Sequence, residues 1–180
     1  MLISELRALL EAHNVPFREW KPAPVRRLQA LHTQVASGEV VLVEHSGRLL
    51  REIIGSAVHV FYRDRERVLR LREDRQVFND GRVRHRRFGH SVGEKLKPGE
   101  EPLAAALRAL KEELHIATDL PLCPSGVLEL GPYPSELFPG LWTFYRTHVF
   151  ETWLSTELYR ADGYIETQPD KTSYFVWSDT

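Results

Sequence analysis

The stretch that decides the fold is residues 93–116, GEKLKPGEEPLAAALRALKEELHI. Pro98-Gly99 indicates a turn, and the alanine- and leucine-rich run after it predicts a helix that ends in two adjacent carboxylates, Glu112 and Glu113. A helix turns by about 100° per residue. The buried stripe predicted from this angle consists of Leu103, Leu107, Leu110 and Leu114. Both glutamates lie off the stripe, and Ala109 projects between them in angle.

This loop and helix resemble the Nudix box, the signature of enzymes that cleave diphosphates linked to another group. The residues that match the family pattern are Glu100, Arg108, Leu110, Glu112, Glu113 and Ile116. The residues that depart from it are Glu94, Ala109 and His115. The resemblance implies an α/β fold, in which a mixed β-sheet is sandwiched between helices (α/β/α) and preceded here by a short helical extension.

The resemblance also implies a metal site. In the family, acids of the box hold a divalent metal against the phosphates of the substrate. The implied metal ligands are Glu100, Glu112 and Glu113, and the implied catalytic set is Arg108, Glu112 and Glu113. Acidic oxygen donors with open water positions suit Mg²⁺, with Mn²⁺ as the alternative. In relatives, the glutamate at the Ala109 position contributes to metal binding or acts as general base, and the preceding arginine orients it.

Arginine is distributed unevenly, which bears on the substrate. Of the 19 arginines, ten lie between residues 63 and 87. The planar guanidinium group matches phosphate oxygens. We therefore take Arg84, Arg86 and Arg87 as candidate phosphate-binding residues. The alternative is that alternating arginines form the solvated face of an edge strand.

A second informative loop follows the predicted helix, around residues 133–143. Tyr133 offers a stacking surface and Glu136 a carboxylate, so both are candidate substrate-binding residues. The alternative is an aromatic cluster that caps the core. Glu136 and Glu166 are also candidates to replace the acid missing at Ala109.

Composition limits the class of protein. A chain of 180 residues with 42% hydrophobic residues can bury a sizeable core. The net charge of −1 argues against a nucleic-acid coat or a membrane-surface protein. A single cysteine, Cys123, cannot form an internal disulfide, and no apolar run reaches the ~18 residues that cross a bilayer. We expect a cytoplasmic protein.

Periodicity predicts two parts, a helical N-terminal subdomain at 1–38 and a Nudix-like domain at 39–180. The predicted helices have apolar faces that include Leu6 and Leu10 in the first and Val25 and Leu28 in the second. The strands predicted in the main domain include 40–43, 49–54, 57–62, 68–71, 83–88, 127–130, 141–153 and 173–177, with a short helix near 157–160.

Three function classes follow. The first is Mg²⁺-dependent hydrolysis of a nucleoside diphosphate linked to another moiety, slowed by the altered box. The second is an inactive Nudix-fold nucleotide-binding or regulatory protein. The third is an interaction module that uses the arginine-rich strand. The expected partner is a small nucleotide or diphosphate rather than a membrane or a nucleic acid, and the oligomeric state stays open, with a homodimer as one alternative.

Overall fold

The computed structural model describes residues 1–85, 89–117 and 120–180, and the chain divides into two compact units. Unit 1 contains Met1–Gly55, Lys95–Glu100 and Leu128–Thr147. Unit 2 contains Ser56–Glu94, Glu101–Val127 and His148–Thr180. The predicted division at residue 38 stays a prediction.

Within the described ranges there are three α-helices and nine β-strands. The helices are α1 (Ile3–Ala12), α2 (Pro24–Ala36) and α3 (Pro102–Leu114). The strands are β1 (Val41–His45), β2 (Arg48–Asp64), β3 (Arg67–Phe78), β4 (Val83–His85), β5 (Val92–Lys95), β6 (Cys123–Pro134), β7 (Trp142–Trp153), β8 (Tyr164–Thr167) and β9 (Lys171–Asp179).

The strands form a mixed sheet with the hydrogen-bonded order β6-β7-β2-β3-β9-β8. β2 with β3, β3 with β9 and β8 with β9 are antiparallel pairs. β7 runs parallel to β2, because Arg146 pairs with Glu52 and, further along both strands, Leu154 N–H bonds to Phe61 O. A mixed sheet combined with helices confirms the predicted α/β class, including helices at the N-terminus.

The core of unit 1 lies under the N-terminal helices. Leu6 and Leu10 of α1 and Leu28 of α2 are buried, as their spacing predicts. Trp20 fills the same cluster, and its indole N–H donates to the carbonyl of residue 139 at 2.8 Å. Val25 was expected on the buried face of α2 but is 66% exposed, because it lies in the first turn.

In unit 2, the buried face of α3 combines three alanines with part of the predicted leucine stripe, Leu110 and Leu114. Leu103 is 47% exposed, so its predicted burial is wrong. The buried residues of α3 are Ala105, Ala106, Ala109, Leu110 and Leu114. Small side chains let a helix backbone approach its neighbours closely, and this gain in packing outweighs the larger apolar area of Leu103.

Two other predictions about elements are corrected. The strands expected at 49–54 and 57–62 are one continuous strand, β2, since Ser56 stays in the ladder and its hydroxyl donates to Pro102 O at 2.7 Å. The helix expected near 157–160 is a turn, in which Leu158 N–H and Tyr159 N–H both donate to Ser155 O. No helix in the described part of the chain is long and apolar enough to cross a bilayer.

Candidate functional site

The candidate site of unit 2 lies where the last turn of α3 meets β5. Gly93 begins the box stretch, and its backbone N–H donates to Glu113 Oε1 at 3.0 Å. This bond fixes the carboxylate of Glu113 beside the loop that precedes the helix. The first and last parts of the box, distant in sequence, are therefore adjacent in space.

Arg108 joins two carboxylates at this junction. Its guanidinium lies 3.3 Å from Glu94 and 3.5 Å from Glu112, and its side chain is only 16% exposed. The family pattern has glycine at the position of Glu94. This departure gives Arg108 an acidic neighbour in place of the one missing at Ala109.

Glu113 has a strongly perturbed protonation equilibrium. Burial raises the pKa of Glu113 from its ordinary value of 4.5 to about 9. The hydrogen bond from Gly93 works in the opposite direction, whereas the negative charges of Glu166, Glu94 and Glu73 add to the rise. Several carboxylates thus surround a partly buried acid, an arrangement that a bound cation would stabilise.

Two of these carboxylates come from the sheet and are buried, Glu73 on β3 and Glu166 on β8. The Gln76 side-chain amide donates to Glu73 Oε1 at 2.6 Å, and the Gln168 amide donates to Glu166 Oε1 at 2.6 Å. Each amide therefore holds its carboxylate in one orientation. The sequence suggested Glu166 as a loop acid, but it lies on a strand, and Glu73 was missed.

Arg84, a predicted phosphate-binding residue, belongs to the same network. Its Nε and one terminal nitrogen donate to Gln76 Oε1, the first at 3.1 Å. Gln76 thus connects Arg84 to Glu73. Arg86 and Arg87, the other two candidates of the cluster, lie outside the described residues.

Ala109 lies one helical turn before Glu112 and Glu113, as the helical angle predicted, but it is buried. It is 0% exposed and packs in the core cluster of unit 2 with Val58, Val92 and Leu110. A carboxylate at this position would enter an apolar environment. The angular argument did not predict this burial, because it took the leucines alone as the buried face of α3.

His115 replaces the family's glycine without changing the backbone shape that glycine favours. It ends α3 with φ 58°, in the left-handed region, and its N–H donates to Leu110 O. The N–H of Ile116 donates to the same carbonyl at 3.2 Å. The box therefore keeps its helix ending, at the conformational cost of a side chain in this region.

The remaining candidates lie in unit 1. Glu100 Oε2 accepts a hydrogen bond from Lys97 N–H at 2.8 Å, which closes the turn before α3. Tyr133 is 54% exposed and Glu136 is exposed. In the same loop, Phe138 is buried against Trp20, as the core-capping alternative predicted for this segment.

Sequence reasoning also missed Arg51, a buried arginine of unit 1. Its guanidinium donates to Thr143 at 3.1 Å and to Gln34 at 2.9 Å, and lies 4.5 Å from the ring centre of Phe138. Burial lowers the pKa of Arg51. The alternating pattern of β2 predicts that this residue faces inward, and this was the only signal available.

Comparison with known protein families shows which family the chain belongs to. An α/β protein whose loop-helix junction carries clustered carboxylates fits one family, and the NUDIX domain model matches residues 54–174. The chain belongs to this family. The comparison with curated proteins gave no significant match.

Several solved structures are similar to this chain. A C. elegans Ap4A hydrolase is 13% identical, and the match covers 70% of this chain and 79% of that chain with a TM-score of 0.40. The E. coli dihydroneopterin triphosphate pyrophosphohydrolase is 19% identical, and the match covers 70% of this chain and 80% of that chain with a TM-score of 0.43. A MutT/nudix family protein from Enterococcus faecalis is 14% identical, and the match covers 94% of this chain and 55% of that chain with a TM-score of 0.45. At such values the likeness bears on neither substrate nor activity.

Proposed function

We propose that this protein is a Mg²⁺- or Mn²⁺-dependent pyrophosphohydrolase that acts on a nucleoside diphosphate linked to another moiety. The observation that carries the proposal is the junction of β5 and α3. There the Gly93 N–H holds the partly buried carboxylate of Glu113, and the ion pairs of Arg108 hold Glu94 and Glu112 on the same junction.

The donor chemistry of this junction fits a hard divalent cation. Glu113 would be the principal ligand, with Glu112 as the other ligand of unit 2 that the box implies. Carboxylate oxygens are the donors that Mg²⁺ prefers, and it keeps several waters of its own. Among the residues that the structure describes, no group of three or more potential ligands is preassembled. We therefore expect substrate phosphate to complete the site, and the bound ion to neutralise charge on the diphosphate.

The side chains of this chain can perform the remaining tasks. Arg108 holds Glu94 and Glu112 in place. Arg84 would bind phosphate oxygens, as would Arg86 and Arg87.

Glu166 and Glu73 are the best candidates to replace the acid lost at Ala109. Both are buried carboxylates within electrostatic reach of Glu113, and each is oriented by an amide. A general base must reach the water that it activates. We propose Glu166 for this role because its charge affects Glu113 more than that of Glu73 does.

A specific observation supports the second function, an inactive nucleotide-binding or regulatory protein. Ala109 is fully buried in the core of unit 2, so the position of the family's acid has become part of the hydrophobic packing. Loss of a general base commonly lowers the rate by about 10² to 10⁴. If no acid of the sheet replaces the lost general base, the protein still binds the nucleotide but does not hydrolyse it.

The decisive experiment is a phosphate-release screen with Mg²⁺ and Mn²⁺. Its substrates are nucleotide sugars, dinucleoside polyphosphates, NADH, coenzyme A and nucleoside triphosphates. We expect turnover of at least one substrate, abolished by chelation and by Glu113→Gln. The change Glu166→Gln should lower turnover by about 10² or more while nucleotide binding, measured by calorimetry, persists.

Ala109→Glu, with Ala109→Gln as a control of the same size, separates the two functions. In a binding protein that has only lost its acid, Ala109→Glu raises hydrolysis and Ala109→Gln does not. In an enzyme that uses Glu166, both variants are neutral or harmful, and circular dichroism reports any loss of folding. No turnover in the wild type or in a folded Ala109→Glu protein, with either metal, would refute the enzyme.

A further inference from the structure

One face of the sheet in unit 2 exposes aromatic rings among arginines. On β2, Val58 and Val60 point into the core, so the alternating residues His59, Phe61 and Arg63 share the opposite face. Phe61 is paired in register with Arg70 of β3, which places Arg70 on this face. The arginine–tryptophan face consists of His59, Phe61, Arg63, Arg70, Arg72 and Trp153.

The aromatic part of this face is a stacked pair. Phe61 and Trp153 lie with ring centres 5.2 Å apart and an interplanar angle of 27°. Arg63 lies 5.3 Å from the centre of the tryptophan ring. Trp153 is nevertheless 46% exposed, so one of the largest apolar side chains of the unit presents its surface to solvent. Such a ring can stack on a flat ligand.

The charged part of the face has three arginines, Arg63, Arg70 and Arg72, against two acids, Asp74 and Glu151. Arg70 bonds to His59 at 3.0 Å, and its Nε is buried, so a phosphate would have to bind its terminal nitrogens. Arg72 pairs with Asp74 at 3.2 Å. Since exposed ion pairs contribute little, Arg72 can exchange this partner for a phosphate. The net charge of −1 for the whole chain therefore conceals a local basic patch.

We propose that the arginine–tryptophan face binds single-stranded RNA, with bases stacked on Trp153 and Phe61 and phosphates on Arg63, Arg70 and Arg72. Aromatic rings for bases and arginines for the backbone are the combination that single strands require. A duplex keeps its bases stacked on one another and cannot offer them to these rings.

One carboxylate favours RNA over DNA. Glu151 lies two residues before Trp153 on β7 and therefore on the same side of the strand, and its charge reaches His59. Its Oε1 accepts a hydrogen bond from Ser125 at 2.8 Å. The carboxylate retains lone pairs that can accept the 2′-hydroxyl proton of ribose, which deoxyribose lacks.

The test is fluorescence anisotropy with a labelled oligouridine of about 12 nucleotides, a length within the range of single-strand sites. We expect the protein to bind this RNA. A plot of the logarithm of the binding constant against the logarithm of the salt concentration should have a slope of about −2, because three phosphates are contacted. Trp153→Ala should weaken binding by roughly 5- to 150-fold. Arg72→Ala should weaken it and reduce the slope by about 0.7. Trp153 fluorescence should change on binding.

The chain offers a matched control in unit 1, where Arg48 lies 4.5 Å from the ring centre of Trp142. Arg48→Ala and Trp142→Ala should bind the RNA as the wild type does. The proposal is overturned if the wild type does not bind at about 50 mM salt. It is also overturned if Arg72→Ala, a change at an exposed site that folding tolerates, has no effect, or if a duplex binds equally well. Equal affinity for oligothymidine, unaffected by Glu151→Gln, would overturn the choice of RNA.

Discussion

Replacing Glu113 should change how the stability of the metal-free protein depends on pH. In the folded protein the pKa of Glu113 is raised from 4.5 to about 9, chiefly by burial. The folded state therefore keeps a proton that the unfolded state releases. The stability that this proton provides is complete below the unfolded pKa and is lost as pH rises towards 9.

The size of this loss of stability follows from the difference between the unfolded and the folded pKa of Glu113. Between the two pKa values, each pH unit lowers the free energy of unfolding by about 1.4 kcal/mol. From pH 6 to pH 8 the loss attributable to Glu113 is therefore about 2.7 kcal/mol. Glu113→Gln keeps an oxygen that accepts the Gly93 hydrogen bond but cannot ionise, so this part of the pH dependence should disappear.

The assay is urea unfolding at both pH values with a chelator present. Glu112→Gln is the matched control, since Glu112 is an adjacent acid of α3 but is exposed and paired with Arg108. Other titrating groups cancel when each variant is compared with the wild type. If Glu113→Gln loses as much stability between pH 6 and pH 8 as the wild type does, Glu113 is not a buried, protonated acid and the electrostatic account of the site is wrong.

Two predictions concern the backbone. His115→Gly should raise the free energy of unfolding by about 1 kcal/mol in urea melts, because His115 has φ 58° and a side chain is unfavourable there; no gain would contradict the strain. Gly163→Ala should lower the free energy of unfolding by at least about 2 kcal/mol, because the added Cβ would lie 1.9 Å from Phe175 O. Gly47 also has a positive φ but has open space around it, so Gly47→Ala should lower the free energy of unfolding less. Equal losses in the two variants would exclude the contact with Phe175 as the cause.

Local features of the sequence predicted the fold better than they predicted the site. The turn at Pro98-Gly99 and the two acids of α3 are close in the chain, so spacing alone revealed the box. Glu73 and Glu166 reach Glu113 only because α3 packs on the sheet, a contact between distant segments that one sequence does not show.

The face of α3 that is buried was also beyond the sequence. Hydrophobicity ranks Leu103 above the alanines, so a helical angle calculated from leucines correctly includes Leu110 and Leu114 in the buried face but adds Leu103 and leaves out the alanines. Packing depends on the fit between surfaces, and Ala105 and Ala109 fit where larger side chains do not. For the same reason the burial of Ala109 was not predicted.

The three departures from the box have different physical consequences. Glu94 supplies Arg108 with an ion pair, and His115 keeps the helix ending at some cost in strain. Ala109 alone removes a charge, and it does so on the core side of α3. If a carboxylate still activates water here, it has to come from the sheet. Turnover that Glu166→Gln reduces and Ala109→Glu does not increase would therefore indicate relocation of the acid rather than decay of the enzyme.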